Sequence, residues 1–495
     1  MNRAQMLGRL GSATTSDIVV IGGGATGLGI AVDAASRGHR VALLERGDFA
    51  EGTSSRSTKL IHGGVRYLQQ GRLGLVREAL RERGRLLRNA PHLVRPLPFV
   101  VPAYRWWEQA WYGIGLGLYD LLAGTSGVGP SFQVDRSRVV ADLPNIAKGG
   151  LRGGVRYLDG QFDDAALALA LAHLAAEQSA VLVNYCPVVA LRKEGGRICG
   201  VDAIDQESGE TLTLTARVVI NATGPFSDAV RRLDTPQAAP LIAPSQGVHL
   251  VLPGRFLGGD SALLVPRTPD GRVIFLIPWH GRVLVGTTDT PVNEISAEPR
   301  PQAAEIEFLL STANRYLAQP AGVGDILSVF AGIRPLICDG SASSAARSRE
   351  HWLQADPTSG LITVAGGKWT TYRQMAEDTV NLAEHSGQLI TRPCRTASLA
   401  IPDTNRPTAG PPLHPALPLT ADDVRNACRE GMARRLSDVL VRRRPCLLLD
   451  AAANGQVAPQ VAALMAETLG RDATWIAREL SDFERLVHVA LPTGC

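Results

Sequence analysis

The sequence predicts an α/β fold: a βαβ domain, an antiparallel sheet inserted into it, and an all-α C-terminal domain. Three observations predict it. An apolar run at 18–21 ends in Gly22-Gly23-Gly24, a helical pattern follows to about Ser36, and a second apolar run occupies 41–44. Across 247–290, strand-like runs alternate with Gly, Pro and Asp turns, as in a largely antiparallel sheet. The pattern over 419–489 is helical throughout.

The remaining elements follow in order. Gly38 stops the first helix. Residues 71–88 read as a strongly basic helix, and Pro91, Pro96, Pro98 and Pro102 mark extended connections. Residues 164–178 read as a helix with Asp163 and Asp164 at its N-terminus. Strands are predicted at 181–183, 200–203, 217–221 and 361–365, and a helix at 370–386. The Pro-rich segment 401–418 reads as a linker. The string GGVRYL occurs at 63–68 and again at 153–158. No longer period supports a repeat, and only the first copy is read as functional.

Length and composition narrow the class. The chain has 495 residues, enough for about three domains. It is 45% hydrophobic and 20% charged, which excludes disorder, collagen and a small disulfide scaffold. A net charge of +4 is too weak to argue for nucleic acid, and no such partner is predicted. Only four of the 51 basic residues are lysines: Lys59, Lys148, Lys193 and Lys368. Seven scattered cysteines with no CxxC pair predict a reducing compartment and no metal centre. The first fifteen residues lack the apolar stretch of a secretory signal. No apolar run reaches the ~18 residues that span a bilayer.

The first Gly-rich turn carries the chemistry. Gly22-x-Gly24-Ala25-Thr26-Gly27 lies between a strand and a helix, and Glu45 follows 23 residues after Gly22. The first Gly permits a tight turn, the second lets backbone approach a pyrophosphate, and the third lets helix pack on strand. The helix N-terminus offers free N–H groups to phosphates, and Glu45 can accept from ribose hydroxyls. The motif alone does not separate NAD from FAD. Two later strand-to-turn segments do: Ala222-Thr223-Gly224 ends VVINATG, and Gly367, Lys368 and Thr371 lie in ITVAGGKWTT. A third return of the chain to the cofactor is expected of an FAD domain, with a helix N-terminus toward the flavin ring.

With those strings in place, the chain resembles the FAD-dependent, quinone-linked glycerol-3-phosphate dehydrogenase family over about 17–377. The carrying strings are IGGGATGLGIAVDAASRG, TSSRSTKLIHGGVRYL, NATGPFSD, GVHLVLP, IPWHGRVLVGTTD, GIRPLICD and GGKWTTYRQMAE. The resemblance implies a Rossmann-like FAD-binding domain (17–90, 150–235, 325–395). It also implies an antiparallel-sheet substrate or cap domain (91–149, 236–324) and a helical C-terminal domain (419–495). It places Thr53, Ser54, Ser55, Lys59, Leu60 and His62 beside the flavin and its phosphates. It assigns Arg66, Tyr67, His249, Arg334 and Lys368 to the active site. It implies oxidation of sn-glycerol 3-phosphate to dihydroxyacetone phosphate, with electrons passing through FAD to ubiquinone or another membrane quinone. A peripheral location on the cytoplasmic face of the membrane and a homodimer are further expectations.

By residue type, Arg334 suits a phosphate, with Arg66 or Lys368 as a second cation. His62 and His249 are the candidate bases, and His249 is preferred because it approaches from the substrate sheet. Lys368 suits the reduced flavin or a developing alkoxide. Trp106, Trp107 and Trp111, with Tyr104, Arg105 and Tyr112 and the apolar 113–122, suit a membrane surface or a buried or dimer contact. The basic runs 81–88 and 442–444 read as solvated helix faces or as contacts to anionic lipid. The chain departs from the family after Asp403, where a Pro-rich linker replaces an internal piece of the C-terminal domain. Alternatives are an oxidase that reduces O2, a same-fold flavoprotein with another substrate, and a non-catalytic flavin or lipid scaffold.

Overall fold

The computed structural model describes residues 1–12, 15–64, 71–266, 268, 271–338, 351–404 and 408–492. They form an eight-stranded sheet, a ten-stranded sheet and a helical C-terminal domain. Along the first sheet the order is His351–Ala355, Ile362–Gly366, Thr211–Asn221, Ser16–Ile21, Val41–Leu44, Val181–Val183. The last five are mutually parallel, and His351–Ala355 is an antiparallel edge. A hairpin, Val188–Glu194 and Arg197–Ile204, extends the first half of Thr211–Asn221.

The parallel strands are apolar on both faces because helices cover both. Ile18, Val19 and Val20 are fully buried. Helix Ala25–Ser36 packs between Asp164–Glu177 and Tyr372–Ser386 and is buried nearly all round. Two of its glycines explain the closeness. A Cβ on Gly27 would overlap the Gly22 carbonyl oxygen, and one on Gly29 would lie 2.8 Å from Tyr372 Cδ2. Asp163 caps the Asp164 helix by accepting from the Ala166 N–H.

The second sheet runs Thr290–Pro291, Ile242–Pro253, Arg282–Gly286, Ile274–Trp279, Ala262–Val265, Val94–Ala103, Gly153–Phe162, Leu60–Ile61. Ser328–Ile337 pairs with Ile242–Pro253, and Phe132–Asp135 with Gly153–Phe162. All its pairs are antiparallel except Ala262–Val265 with Val94–Ala103. Leu60–Ile61, Gly153–Phe162 and Ser328–Ile337 therefore lie in the second sheet, although the sequence segments expected for the FAD domain contain them. Strand alternation sorts Ile242–Pro253 by face. Val248, Leu250 and Leu252 join the core under helix Ala303–Asn314, whereas Val251 joins Phe330 and the C-terminal domain. His249 shares the face of Val251.

The C-terminal helices Ala421–Arg429, Ala451–Leu469 and Ala473–Ala490 pack on one another. Thr420, Asp450 and Asp472 cap their N-termini through their side chains. The basic run 442–444 is neither a solvated face nor a lipid contact. Arg442 and Arg443 are buried. Arg442 Nε donates to Asp48 at 2.6 Å and its Nη2 to Asp438 at 2.6 Å. Arg443 forks onto Asp48, and Arg444 pairs with Asp423 at 2.7 Å. Despite its burial, Arg443 and Arg442 hold the Asp48 carboxyl below its ordinary value. These pairs tie the C-terminal domain to the loop after Val41–Leu44. The run 81–88 is likewise partly interior: Arg83 is buried against Asp159 at 2.8 Å, and Arg85 pairs with Glu82.

Candidate active site

Four adjacent parallel strands end side by side, and their ends build one cavity. Val41–Leu44 delivers Glu45, Ser16–Ile21 delivers Gly22, Thr211–Asn221 delivers Ala222-Thr223-Gly224, and Ile362–Gly366 delivers Gly367-Lys368. The strand order reverses at Ser16–Ile21, where a crevice opens at the carboxyl ends of such a sheet. The cavity holds about 490 Å³, and its lining includes Gly22, Gly24, Ala25, Thr26, Glu45, Thr53, Ser54, Ala222, Thr223, Gly224, Gly367 and Lys368.

The local geometry suits a dinucleotide. Gly22 has φ +108°, and a Cβ there would lie 2.7 Å from the Ala222 carbonyl oxygen. Helix Ala25–Ser36 has no acidic residue in its first turn, and Gly24 at its N-cap provides no side-chain cap. The Ala25 N–H donates to Ser54 Oγ at 2.9 Å, which brings a second hydroxyl to the phosphate end. Glu45 accepts from the Gly23 N–H at 2.6 Å and the Gly47 N–H at 2.9 Å, so its carboxylate is fixed at the rim. Burial raises the Glu45 carboxyl above its ordinary value, against the opposing pull of those two N–H groups. These residues fit FAD: small turns for the pyrophosphate, a helix N-terminus with no acidic side chain in its first turn, and an acceptor for the ribose.

Several residues expected at the cofactor lie elsewhere. Gly27, Ser55, Lys59 and Thr371 line neither this cavity nor the next, and Leu60 and His62 line the second cavity. Gly27 serves the helix–strand contact. Ser55 is buried, and Thr371 Oγ1 donates to the Lys368 carbonyl at 3.3 Å. Lys59 departs furthest from the expectation. Its ammonium is buried, donating to Asp164 at 2.6 Å and to the Ser55 carbonyl at 2.7 Å. Lys59 φ is +59°, which turns the chain at this point. The carboxylate at the start of the Asp164 helix captured the charge that sequence reasoning assigned to the flavin.

A second cavity of about 470 Å³ adjoins the first through the same loop and strand. Thr53 and Ser54 line one and Thr58, Leu60 and His62 the other, as Pro335 and Arg334 do on Ser328–Ile337. Its polar lining includes Thr58, His62, Arg272, Thr287, Asp289 and Arg334; its apolar lining includes Phe99, Val101, Tyr157, Phe275 and Trp111. Arg334 donates to Asp289 at 2.9 Å, to the Thr288 carbonyl at 2.9 Å and to Thr287 Oγ1 at 3.1 Å. A Cβ on Gly247 would lie 2.8 Å from Arg334 Cζ, so a glycine makes room for the guanidinium.

His249 does not line this cavity. It is 2% exposed, stacks on Phe330, and contacts Thr58 Oγ1 through Nε2 at 2.9 Å. Burial, with Arg334 and Lys59 adding to it, holds its imidazole pKa well below the ordinary value. His62, the other candidate base, does line it. Arg66 and Tyr67 lie outside the described residues.

Sequence reasoning missed three participants. Arg46 stacks its guanidinium over Phe226 at 3.6 Å, and both line the first cavity. Trp369 Nε1 donates to the Ser54 carbonyl at 2.9 Å. Tyr119 accepts from the Gly63 N–H and donates to Asp159, each at 2.8 Å, which ties helix Glu108–Ala123 to the His62 loop. Trp369 and Phe226 lie inside quoted strings, but each contact joins partners distant in sequence, so no spacing announced it.

A parallel sheet with a nucleotide crevice, sharing a wall with a second cavity on a largely antiparallel sheet, is the architecture of a dinucleotide-dependent oxidoreductase. The chain belongs to the FAD dependent oxidoreductase family, whose model matches residues 17–373. A second model, the C-terminal domain of alpha-glycerophosphate oxidase, matches 362–475. The human mitochondrial glycerol-3-phosphate dehydrogenase is 46% identical over 412 residues, 80% of this chain and 56% of that protein. The Saccharomyces cerevisiae mitochondrial enzyme is 40% identical over 444 residues, 81% of this chain and 68% of its own. The chain thus spans about half the length of the mammalian relatives. The glycerol-3-phosphate dehydrogenase structure from Bacillus halodurans, complexed with FAD, superposes with a TM-score of 0.80 at 28% identity, covering 100% of this chain and 98% of that one. FAD is the cofactor of this chain's family, as the sequence expected.

Proposed function

We propose that the protein oxidises sn-glycerol 3-phosphate to dihydroxyacetone phosphate and passes the electrons to a membrane quinone. The observation that carries this reading is Arg334, a guanidinium oriented by Asp289 and Thr288 in a cavity that shares its wall with the FAD crevice. The relatives' names supply the substrate. When bound, FAD supplies the hydride-accepting chemistry. Arg334 binds the phosphate in a charge-assisted contact. His62 takes the proton of the C2 hydroxyl, being the candidate base that faces the cavity. Lys368, at the end of Ile362–Gly366, directs positive charge into the FAD crevice and steadies negative charge that develops there.

The apolar part of the second cavity supports a quinone over O2. Helix Glu108–Ala123 lines it and turns Trp111, Ile114, Leu118 and Leu121 to the surface, three of them more than 60% exposed. Trp106 is 81% exposed just before it. The spacing makes one apolar stripe, which suits an interfacial helix lying on lipid. No helix among the described residues is long and apolar enough to cross a membrane.

The deciding experiment is anaerobic addition of glycerol 3-phosphate to the purified flavoprotein. Loss of the ~450 nm flavin band supports the substrate, because the cofactor carries the redox chemistry. Persistence of that band with flavin bound refutes it. Peroxide production in place of quinone reduction identifies an oxidase. Binding to phosphatidylglycerol vesicles that Trp111→Glu with Ile114→Glu abolishes supports the lipid contact, and equal binding by that variant refutes it.

A further inference from the structure

Thr58 joins the substrate cavity, which it lines, to His249, which the cavity does not reach. The His249 ring is fixed. It stacks on Phe330 with centroids 4.9 Å apart and planes 15° apart, and a Cβ on Gly286 would lie 2.8 Å from its Nε2. Its Nδ1 is buried with no hydrogen-bond partner among the described residues. A buried N–H without an acceptor is rarer and costlier than a buried lone pair. The proton of the neutral ring therefore belongs on Nε2, and Nε2–H donates to Thr58 Oγ1. A hydroxyl has one donor and two lone pairs. With a lone pair taken by His249, the Thr58 O–H still needs an acceptor, and no protein group among the described residues provides one.

We propose that Thr58 is a substrate-binding residue whose hydroxyl donates to a phosphate oxygen beside Arg334, with His249 a positioning residue that sets the hydroxyl's direction. The proposal rests on the reading that the substrate is a phosphate ester. Arg334 is the phosphate's natural partner, and it lines the same cavity as Thr58. Burial keeps the His249 ring neutral, and Arg334 and Lys59 are near enough to add to it. The charged groups around His249 are Arg334, with Asp289, from Ser328–Ile337 and the 287–289 turn, and Lys59, with Asp164, from the flavin loop. With Nε2 carrying the proton and Nδ1 buried, the ring offers the cavity no lone pair and does not serve as the base.

The test is steady-state kinetics of the FAD-loaded protein with glycerol 3-phosphate. Thr58→Val removes the hydroxyl at nearly constant volume. It is expected to raise KM about tenfold with kcat changed less than threefold, as for loss of uniform binding. Thr58→Ser restores KM to within about twofold. His249→Phe keeps the stack and raises KM like Thr58→Val, and the double variant is no worse than either single one. An unchanged KM in Thr58→Val, an equal loss in Thr58→Ser, or a loss confined to kcat overturns the proposal. A wild-type protein whose flavin glycerol 3-phosphate does not reduce overturns the substrate reading and this proposal together. A wild type that is reduced, beside an unaffected Thr58→Val, overturns this proposal alone.

Discussion

The ammonium of Lys59 lies 2.6 Å from a carboxylate oxygen of Asp164, with both side chains at most 2% exposed. Asp164 also accepts from the backbone N–H of Ser57 at 3.0 Å and its hydroxyl at 2.7 Å. The pair thus holds the loop that presents Thr58 and His62. Removing one member leaves a buried, uncompensated charge, which costs about 3–5 kcal/mol. Asp164→Asn is expected to lose that stability in denaturant titrations followed by flavin fluorescence. Lys59→Met combined with Asp164→Leu should recover part of it, because no lone charge is left inside.

Arg334→Ala should raise KM for glycerol 3-phosphate roughly 10- to 100-fold, equivalent to one charge-assisted bond of about 1.5–3 kcal/mol. FAD content should not change, since Arg334 lines the substrate cavity and not the FAD crevice. Flavin absorbance per protein and initial rates check both halves. A variant that loses flavin places Arg334 at the cofactor instead.

His62→Gln should lower kcat about 10²- to 10⁴-fold, the range of general-base catalysis, with flavin retained. His249→Phe should act mainly on KM. Comparable losses of kcat in both variants would return the base to His249. Stopped-flow reduction of the flavin makes the comparison without involving the electron acceptor.

Lys368→Arg should slow flavin reduction at saturating substrate, because the compact ammonium and the planar guanidinium differ in reach and hydration. Lys368 lines the FAD crevice, where Lys59 does not. Of the two lysines in family-specific strings, this one lines the crevice and the other is enclosed with Asp164. A reduction rate equal to wild type in Lys368→Arg argues against a requirement for the ammonium.

Acid should destabilise the fold through His173 and His249. Burial, then the N-terminal ammonium and Arg443, push the half-buried His173 down to about 4, and burial lowers His249 as well. Between pH 6.5 and about 4 the unfolded chain takes protons on such groups that the folded chain refuses. Stability therefore falls as pH falls through that window, by at most about 1.4 kcal/mol per pH unit for each histidine. His173→Gln should flatten the slope between pH 6.5 and 4 relative to wild type in unfolding midpoints measured at several pH values.

The Gly-rich opening was legible because its function is local. Strand, tight turn and helix N-terminus are contiguous in sequence, and Glu45 lies one strand away, so spacing alone located the nucleotide site. Helix Asp164–Glu177 and its Asp163 cap were legible for the same reason. The roles of Lys59, Ser55 and Arg442 were not. A lysine in a conserved-looking string reads the same whether it meets a cofactor or a carboxylate 105 positions away. Three consecutive arginines look solvated until Asp48 and Asp438 are brought beneath them. Gly153–Phe162 shows the same limit: its GGVRYL string read only as an echo of 63–68, and neither the strand nor the sheet it joins was predicted.

The sequence by itself determined the α/β class, the dinucleotide crevice, the helical C-terminal domain and the residue types of the active site. These follow from short-range stereochemistry: positive φ at Gly22, the free N–H groups of a helix start, and two-residue alternation in strands. Only the tertiary structure decided which side chains face the cavities. It enclosed Lys59 with Asp164, set His249 behind Thr58, and left His62, Arg334 and Lys368 at the walls. The physical reason is that a buried charge or polar atom takes whatever partner folding brings within about 3 Å, and that partner is seldom a neighbour in the chain.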